Sequence, residues 1–133
     1  ATTGVISPSV VALLVAVTGW TAGFDIIYSL QDEEFDRSEG LRSLPETLGK
    51  AKALGISRAL HGVSIAALLA ACWMHKAGPW AFGGVGAAAL LLAYEQSLVH
   101  PNDLSKVNLA FFTLNGFVSI GFFGFCLADV IAR

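Results

Sequence analysis

Three carboxylates, Asp25, Asp32 and Asp36, close the first apolar run of the chain. At about 100° per residue, Asp32 lies about 20° to one side of Asp25 and Asp36 about 20° to the other. A helix continuing past Gln31 would therefore present all three on one face. Crowded carboxylates repel each other, and at a membrane boundary they need a counter-charge. Oxygen-only ligands favour a hard cation such as Mg²⁺. Asp32 and Asp36 form a DxxxD pair, and Arg37, Arg42 and Lys50 follow it. Carboxylates that hold a metal, beside cations that take up phosphate charge, are what a metal-bridged diphosphate requires. Tyr28 lies one turn from Asp25 and from Asp32, placed either to hydrogen-bond into such a site or to anchor the helix at the interface. Glu33, Glu34 and Glu39 point elsewhere around the helix and are expected to be solvated.

The elements that must carry these residues are membrane helices. Of 133 residues, 55% are hydrophobic and only 14% charged, and the mean hydropathy is +0.67, too apolar for a domain that covers its surface with polar groups. Four runs, 8–30, 57–74, 80–99 and 107–131, come near the 20 or so helical residues that cross about 30 Å of hydrocarbon. The expected fold is all-α, a single membrane domain over 1–133 built as a polytopic bundle of four spans. Connection 31–56 holds most of the charge. Within it Ser43, Pro45 and Glu46 mark a helix start, and Leu44, Leu48 and Leu54 opposite Lys50 and Lys52 predict a short interfacial helix ended by Gly55. Gly83, Gly84 and Gly86, and then Gly116, Gly121 and Gly124, mark faces for close helix packing. Residues 1–20 lack a basic leader region, so no targeting signal is expected.

Charge placement sets an orientation. Arg37, Arg42, Lys50, Lys52, Arg58 and Lys106 fall on one side of the expected bundle, and Lys76 and Arg133 on the other. The positive-inside bias puts connection 31–56 in the cytoplasm and both chain ends opposite. A net charge of −2 and no extended basic surface argue against a nucleic-acid partner. Cys72 and Cys126 read as small packing residues, and His61, His75 and His100 are too dispersed to share a metal. Glu95 is expected to pair with Lys106 or a neighbouring helix, or else to lie near a substrate. Asn108 and Asn115 share a face suited to interhelical hydrogen bonds or substrate contact. Phe111, Phe112, Phe117, Phe122, Phe123 and Phe125 read chiefly as lipid-facing bulk, with one or two available to line a substrate tunnel.

No Ser/His/Asp or Cys/His arrangement is present, which suits metal-assisted ionisation better than a protein nucleophile. An allylic diphosphate ionising at the membrane surface, its tail between helices that exclude water, fits the layout. The alternative is a non-catalytic membrane subunit or a cation transporter using the same carboxylates. A transporter would carry charge near the bilayer centre, whereas these aspartates cluster at one surface. A CDP-alcohol phosphotransferase would need an upstream DGxxAR segment, which the chain lacks.

The segment FDIIYSLQDEEFDRSEGLRSLPETLG, 24–49, resembles the second aspartate-rich motif of the UbiA superfamily of intramembrane aromatic prenyltransferases, with Asp25, Tyr28, Gln31, Asp32, Asp36, Gly40, Ser43 and Gly49 in the motif's places. YEQSLVHPNDLSKVNLAFFTLNGF, 94–117, is similar to the corresponding part of 4-hydroxybenzoate polyprenyltransferase-like members, including those of the futalosine-type menaquinone pathway. The resemblance covers nearly the whole chain, and the four spans resemble the last four of the family's nine helices. It implies Mg²⁺-dependent transfer of a polyprenyl group from polyprenyl diphosphate to a ring carbon of an aromatic acceptor, 4-hydroxybenzoate or a naphthoate, for quinone biosynthesis in a bacterial inner membrane. Asp32 and Asp36 would be the catalytic pair, binding Mg²⁺ and through it the diphosphate. Asp25 would support the same metal and substrate site, and Tyr28, Arg42 and Lys50 would contact substrate, making 31–56 a cytoplasmic metal and diphosphate loop. The family's first motif, of NDxxD type, is absent; Asn102-Asp103 has no following DxxxD. The resemblance thus implies the C-terminal part of a longer enzyme, inactive without the N-terminal half that carries the other carboxylates.

Overall fold

The computed structural model describes residues 4 and 6–132. Six α-helices follow in order: α1 Pro8–Ser29, α2 Glu33–Glu39, α3 Leu44–Leu48, α4 Lys50–Met74, α5 Pro79–Leu98 and α6 Asn115–Ile131, the last preceded by a π-helical stretch Leu109–Leu114. Three helical segments, Pro8–Ser29, Lys50–Met74 and Leu109–Ile131, are long and apolar enough to cross a membrane. The other expected span forms α5 at nearly the expected bounds, but three glycines and the polar run Tyr94–Ser97 dilute its apolar character, so it is not among the three.

Two of the expected boundaries move. No separate interfacial helix ends at Gly55. Ser43 does cap a helix, its Oγ accepting the Glu46 N–H at 3.3 Å, but α3 lasts only to Leu48. The break is Gly49, at φ 83°, a left-handed conformation that favours glycine. From Lys50 the chain runs as one helix through Gly55 to Met74. Burial of Ala53, Leu54 and Ser57 against neighbouring elements offsets the roughly 1 kcal/mol that a glycine costs inside a helix. The second change is at the end of α1, which stops at Ser29 rather than continuing past Gln31.

α1 lies along α4, and α5 along α6. The α1–α4 contact is the tightest in the bundle and has a polar seam. Gly19 and Gly23, four apart on α1, face Ser57, His61 and Ser64 on α4. Ser57 Oγ donates to the Gly23 carbonyl at 2.8 Å and Ser64 Oγ to the Ala16 carbonyl at 2.5 Å. A Cβ on Gly19 would sit 3.1 Å from the Leu60 carbonyl, and one on Gly23 would collide with the His61 ring. Small residues at this spacing let two membrane helices approach closely. Of the glycines expected to pack closely, Gly84 does so, its missing Cβ replaced by Phe125, whereas Gly86, Gly116, Gly121 and Gly124 have open space.

Three apolar layers stack along the bundle. Ala16, Leu68, Cys72, Ala81 and Val85 fill the end near the α4–α5 turn. Trp20, Phe24, Ala88, Leu92 and Val118 fill the middle. Ile26, Ile27, Leu30, Ala53, Leu54, Val99, Val107 and Ala110 fill the end that carries the aspartates. This last layer holds the end of α1, the start of α4 and connection 99–108 together, and so fixes the ground from which Asp25, Asp32 and Asp36 project.

Candidate functional site

The end of α1 is made by successive tight turns. The N–H groups of Leu30, Gln31 and Asp32 bond to the carbonyls of Ile27, Tyr28 and Ser29, at 3.3, 3.3 and 3.1 Å. Leu30 is fully buried and anchors the turn. The helix direction therefore changes between Asp25 and Asp32. Asp25 stays on α1, while Asp32 sits at the N-cap position of α2 with Asp36 one turn further on, and the single three-carboxylate face expected from an unbroken helix does not form. The Asp36 N–H bonds the Asp32 carbonyl at 2.8 Å, and the Asp32 side chain makes no capping bond. Asp25 and Asp32 are exposed and Asp36 half-buried. Among the described residues, no group of three or more His, Cys, Asp or Glu side chains could hold a metal ion.

The basic residues divide. Lys50 Nζ lies 3.3 Å from Glu33, and Arg37 pairs with the same carboxylate at 2.5 Å. Glu33, expected to be solvated, is instead the bridge that ties the start of α2 to the start of α4. Burial pushes its carboxyl up, but hydrogen bonds from Lys50 and Arg37 and their charges outweigh that and hold it below the ordinary carboxylate range. Arg42 is exposed in the segment between α2 and α3 and makes no ion pair among the described residues. The structure thus leaves Arg42 exposed and pairs Lys50 with Glu33.

Tyr28 belongs to an aromatic group. Its ring centroid lies 4.6 Å from that of Phe111 and 6.0 Å from that of Phe112, both on the π-helical stretch. Phe111 stands edge-on to Phe24 at 6.4 Å and to Phe112 at 4.9 Å. Phe112 remains 63% exposed and Tyr28 39%, so the wall is open on one side.

Behind this wall lies a buried polar group. Glu95 on α5 is fully buried, with Oε2 3.5 Å from His61 Nδ1. Gln96 Nε2 lies 3.1 Å from the same nitrogen and donates to Ser57 Oγ at 2.9 Å. Glu95 therefore meets a neighbouring helix, one of its expected partners, and the partner is His61 rather than Lys106. At the other end Asp129 caps α5, accepting the Gly78 and Ala81 N–H groups at 2.9 and 3.3 Å. The signals for these contacts were present in the sequence as GxxxG at Gly19–Gly23, as the Ser57, His61, Ser64 stripe, and as a lone aspartate near the end of an apolar run.

Comparison with known proteins gives the chain a family. The UbiA prenyltransferase family matches residues 1–120. The 4-hydroxybenzoate octaprenyltransferase of Alkalilimnicola ehrlichii is 30% identical over 127 residues, 96% of this chain and 43% of that protein. The protein of the same name from Pseudomonas fluorescens is 30% identical over 133 residues, the whole of this chain and 44% of the relative. That from Aromatoleum aromaticum is 26% identical over 120 residues, covering 90% and 40%. The chain spans less than half the length of these relatives and matches their C-terminal part. No solved structure matches. With its membrane-spanning helices and a family match over nearly its full length, this integral membrane chain belongs to the UbiA prenyltransferase family.

Proposed function

We propose that this chain supplies one wall of an aromatic prenyltransferase active site: the half that holds the diphosphate through Asp32 and Asp36. The observation that carries the reading is the family match across residues 1–120, which includes the DxxxD pair. The break after Ser29 supports it, because it lifts Asp32 and Asp36 out of the apolar helix while the neighbouring cations pair with Glu33 instead. Two carboxylates one turn apart are a hard-oxygen donor set that suits Mg²⁺ but supplies only part of its coordination. Bound there, Mg²⁺ would neutralise the charge that gathers on a departing diphosphate.

The remaining roles belong to the chain itself. Arg42, exposed and without an ion pair among the described residues, takes phosphate charge that carboxylates cannot. Lys50 acts through Glu33, fixing α2 over the start of α4 so that Asp32 and Asp36 keep their places. The apolar helices exclude water from the allylic cation, which water would otherwise capture. The transferred group is a polyprenyl chain and the acceptor an aromatic ring such as 4-hydroxybenzoate or a naphthoate, a step of quinone biosynthesis. The positive-inside bias sets the aspartate end in the cytoplasm. The test is turnover by the full-length enzyme, incubated with Mg²⁺, a polyprenyl diphosphate and either acceptor. Prenylated product that disappears in Asp32→Asn and Asp36→Asn, in protein that still folds in membranes, is the expected result; undiminished product would end the reading.

A further inference from the structure

Glu95 is fully buried on α5, and the hydrogen bonds around it leave it no proton from a neighbour. Ser57 has a single hydroxyl proton, which goes to the Gly23 carbonyl at 2.8 Å, so toward Gln96 its oxygen can only accept. The amide atom that faces it at 2.9 Å must then be Nε2 and not Oε1. The other Nε2 proton meets His61 Nδ1 at 3.1 Å. That ring nitrogen therefore holds a lone pair, and the ring proton is on Nε2. Glu95 Oε2 stands 3.5 Å from the same lone pair. An ionised carboxylate there would meet an acceptor instead of a donor. Neither Glu95 oxygen receives a hydrogen bond among the described residues. His61 is also the only basic side chain within ion-pair distance of Glu95 among the described residues. As an imidazolium it would need a proton on the very nitrogen that accepts from Gln96. A bare carboxylate buried among apolar helices, with neither donor nor cation, is costly.

We propose that Glu95 is a proton-binding site inside the bundle: its side chain is a carboxylic acid that carries its own proton toward His61 Nδ1. One bound proton makes the group neutral without a counter-ion. Each bond direction then follows from its neighbour, with Ser57 donating to Gly23, Gln96 to Ser57 and His61, and Glu95 toward His61. The neutral group joins three helices: α1 through the Gly23 carbonyl, α4 through Ser57 and His61, and α5 through Glu95 and Gln96. Gly23 is two residues ahead of Asp25, and Glu95 lies in the last turn of α5. The group thus ties together the helix ends that frame the aspartates. None of this depends on which reaction the enzyme performs. The competing occupant is a metal cation such as Na⁺, because Glu95 Oε1, Glu95 Oε2 and Gln96 Oε1 all lack a hydrogen-bond partner among the described residues. A cation would leave Glu95 ionised, and an amide at position 95 separates the two cases. Like a carboxylic acid, an amide offers a donor and an acceptor on one planar carbon, whereas a carboxylate only accepts.

The experiment uses the full-length enzyme in detergent. In the infrared difference spectrum at neutral pH, wild type minus Glu95→Gln, a carboxylic-acid carbonyl band is expected to be lost, in a region where ionised carboxylates do not absorb. Glu95→Gln should also keep the wild-type midpoint of detergent-induced unfolding, whereas Glu95→Ala, which takes away the proton and leaves a cavity, should lower it. If Glu95→Ala does not fold at all, that too is the expected loss, and the comparison of wild type with Glu95→Gln stands without it. A Glu95→Gln protein that fails to fold, or that unfolds as early as Glu95→Ala, would overturn the proposal. So would a difference spectrum in which the lost band is that of an ionised carboxylate. A wild-type midpoint that rises with Na⁺ while that of Glu95→Gln does not would assign the site to a metal cation instead, and would overturn it as well.

Discussion

Asp32 and Glu33 are adjacent carboxylates with opposite fates. Glu33 is held by Arg37 and Lys50, whereas Asp32 makes no capping bond and remains exposed. Removing the charge from each should therefore do different things. In the full-length enzyme, Asp32→Asn or Asp36→Asn is expected to lower prenyl transfer on the order of 100-fold or more, the scale on which a preorganised electrostatic contact contributes. Glu33→Gln is expected to cost far less, because it loosens α2 against α4 without taking away a ligand; rates measured at saturating Mg²⁺ compare them. A second carboxylate, Asp103, has a pH signature. The Ser105 side chain and backbone N–H donate to it at 2.6 and 3.0 Å and, with Lys106 and His100 nearby, hold it below the ordinary carboxylate range. For a depressed carboxyl the contribution is present above its unfolded value and lost as pH falls through the folded one, so acid and not base loosens the turn between His100 and Ser105. Ser105→Ala should move the Asp103 titration upward, read by side-chain carboxyl NMR.

At the scale of elements, the α1–α4 seam is where the bundle tolerates least. Gly23 has no room for a methyl group because the His61 ring fills that space, and His61 is itself held by Gln96 and Glu95. Gly23→Ala should destabilise the folded protein by about 1–3 kcal/mol, the usual cost of overpacking. Gly62→Ala, on the open side of α4 with nothing within 4 Å, should be neutral or stabilising by up to about 1 kcal/mol from helix propensity alone. Detergent-induced unfolding followed by circular dichroism distinguishes them, and equal effects would mean that the seam is not tight at Gly23. The same seam passes from α4 to α5 through Ser57 and Gln96, so a disturbance at Gly23 should reach the helix that leads to connection 99–108.

For the whole molecule, the basic residues make one prediction and the shared length with relatives another. If the aspartate end is cytoplasmic, a membrane-impermeant thiol reagent added outside intact cells should label Ala77→Cys and not Ser38→Cys, in a background without Cys72 and Cys126; the reverse pattern would invert the orientation. The chain spans less than half of the octaprenyltransferases it matches, and Asp32 and Asp36 alone offer a metal only part of its ligands. Expressed as it stands, the chain should insert into membranes yet make no prenylated product from polyprenyl diphosphate and acceptor. Product that forms from the isolated chain and vanishes in Asp32→Asn would show that the site is complete within it.

Periodicity and composition alone determined the all-helical membrane character, the residues of α1 and α5 to within a few positions, the Ser43 cap and the DxxxD pair, because these depend on local chemistry: the length of an apolar run, a side-chain oxygen beside a free N–H, or a four-residue spacing. The tertiary structure decided the rest. Whether α1 would stop at Ser29 depended on Leu30 finding a buried seat between α1, α4 and connection 99–108. Whether Gly55 would end a helix depended on what Leu54 and Ser57 packed against. That Lys50 would spend its charge on Glu33, that His61 would occupy the space left by Gly23, and that Tyr28 would pack on Phe111 are contacts between residues far apart in the chain or on different elements. Helical spacing says which residues share a face; only packing says what that face meets.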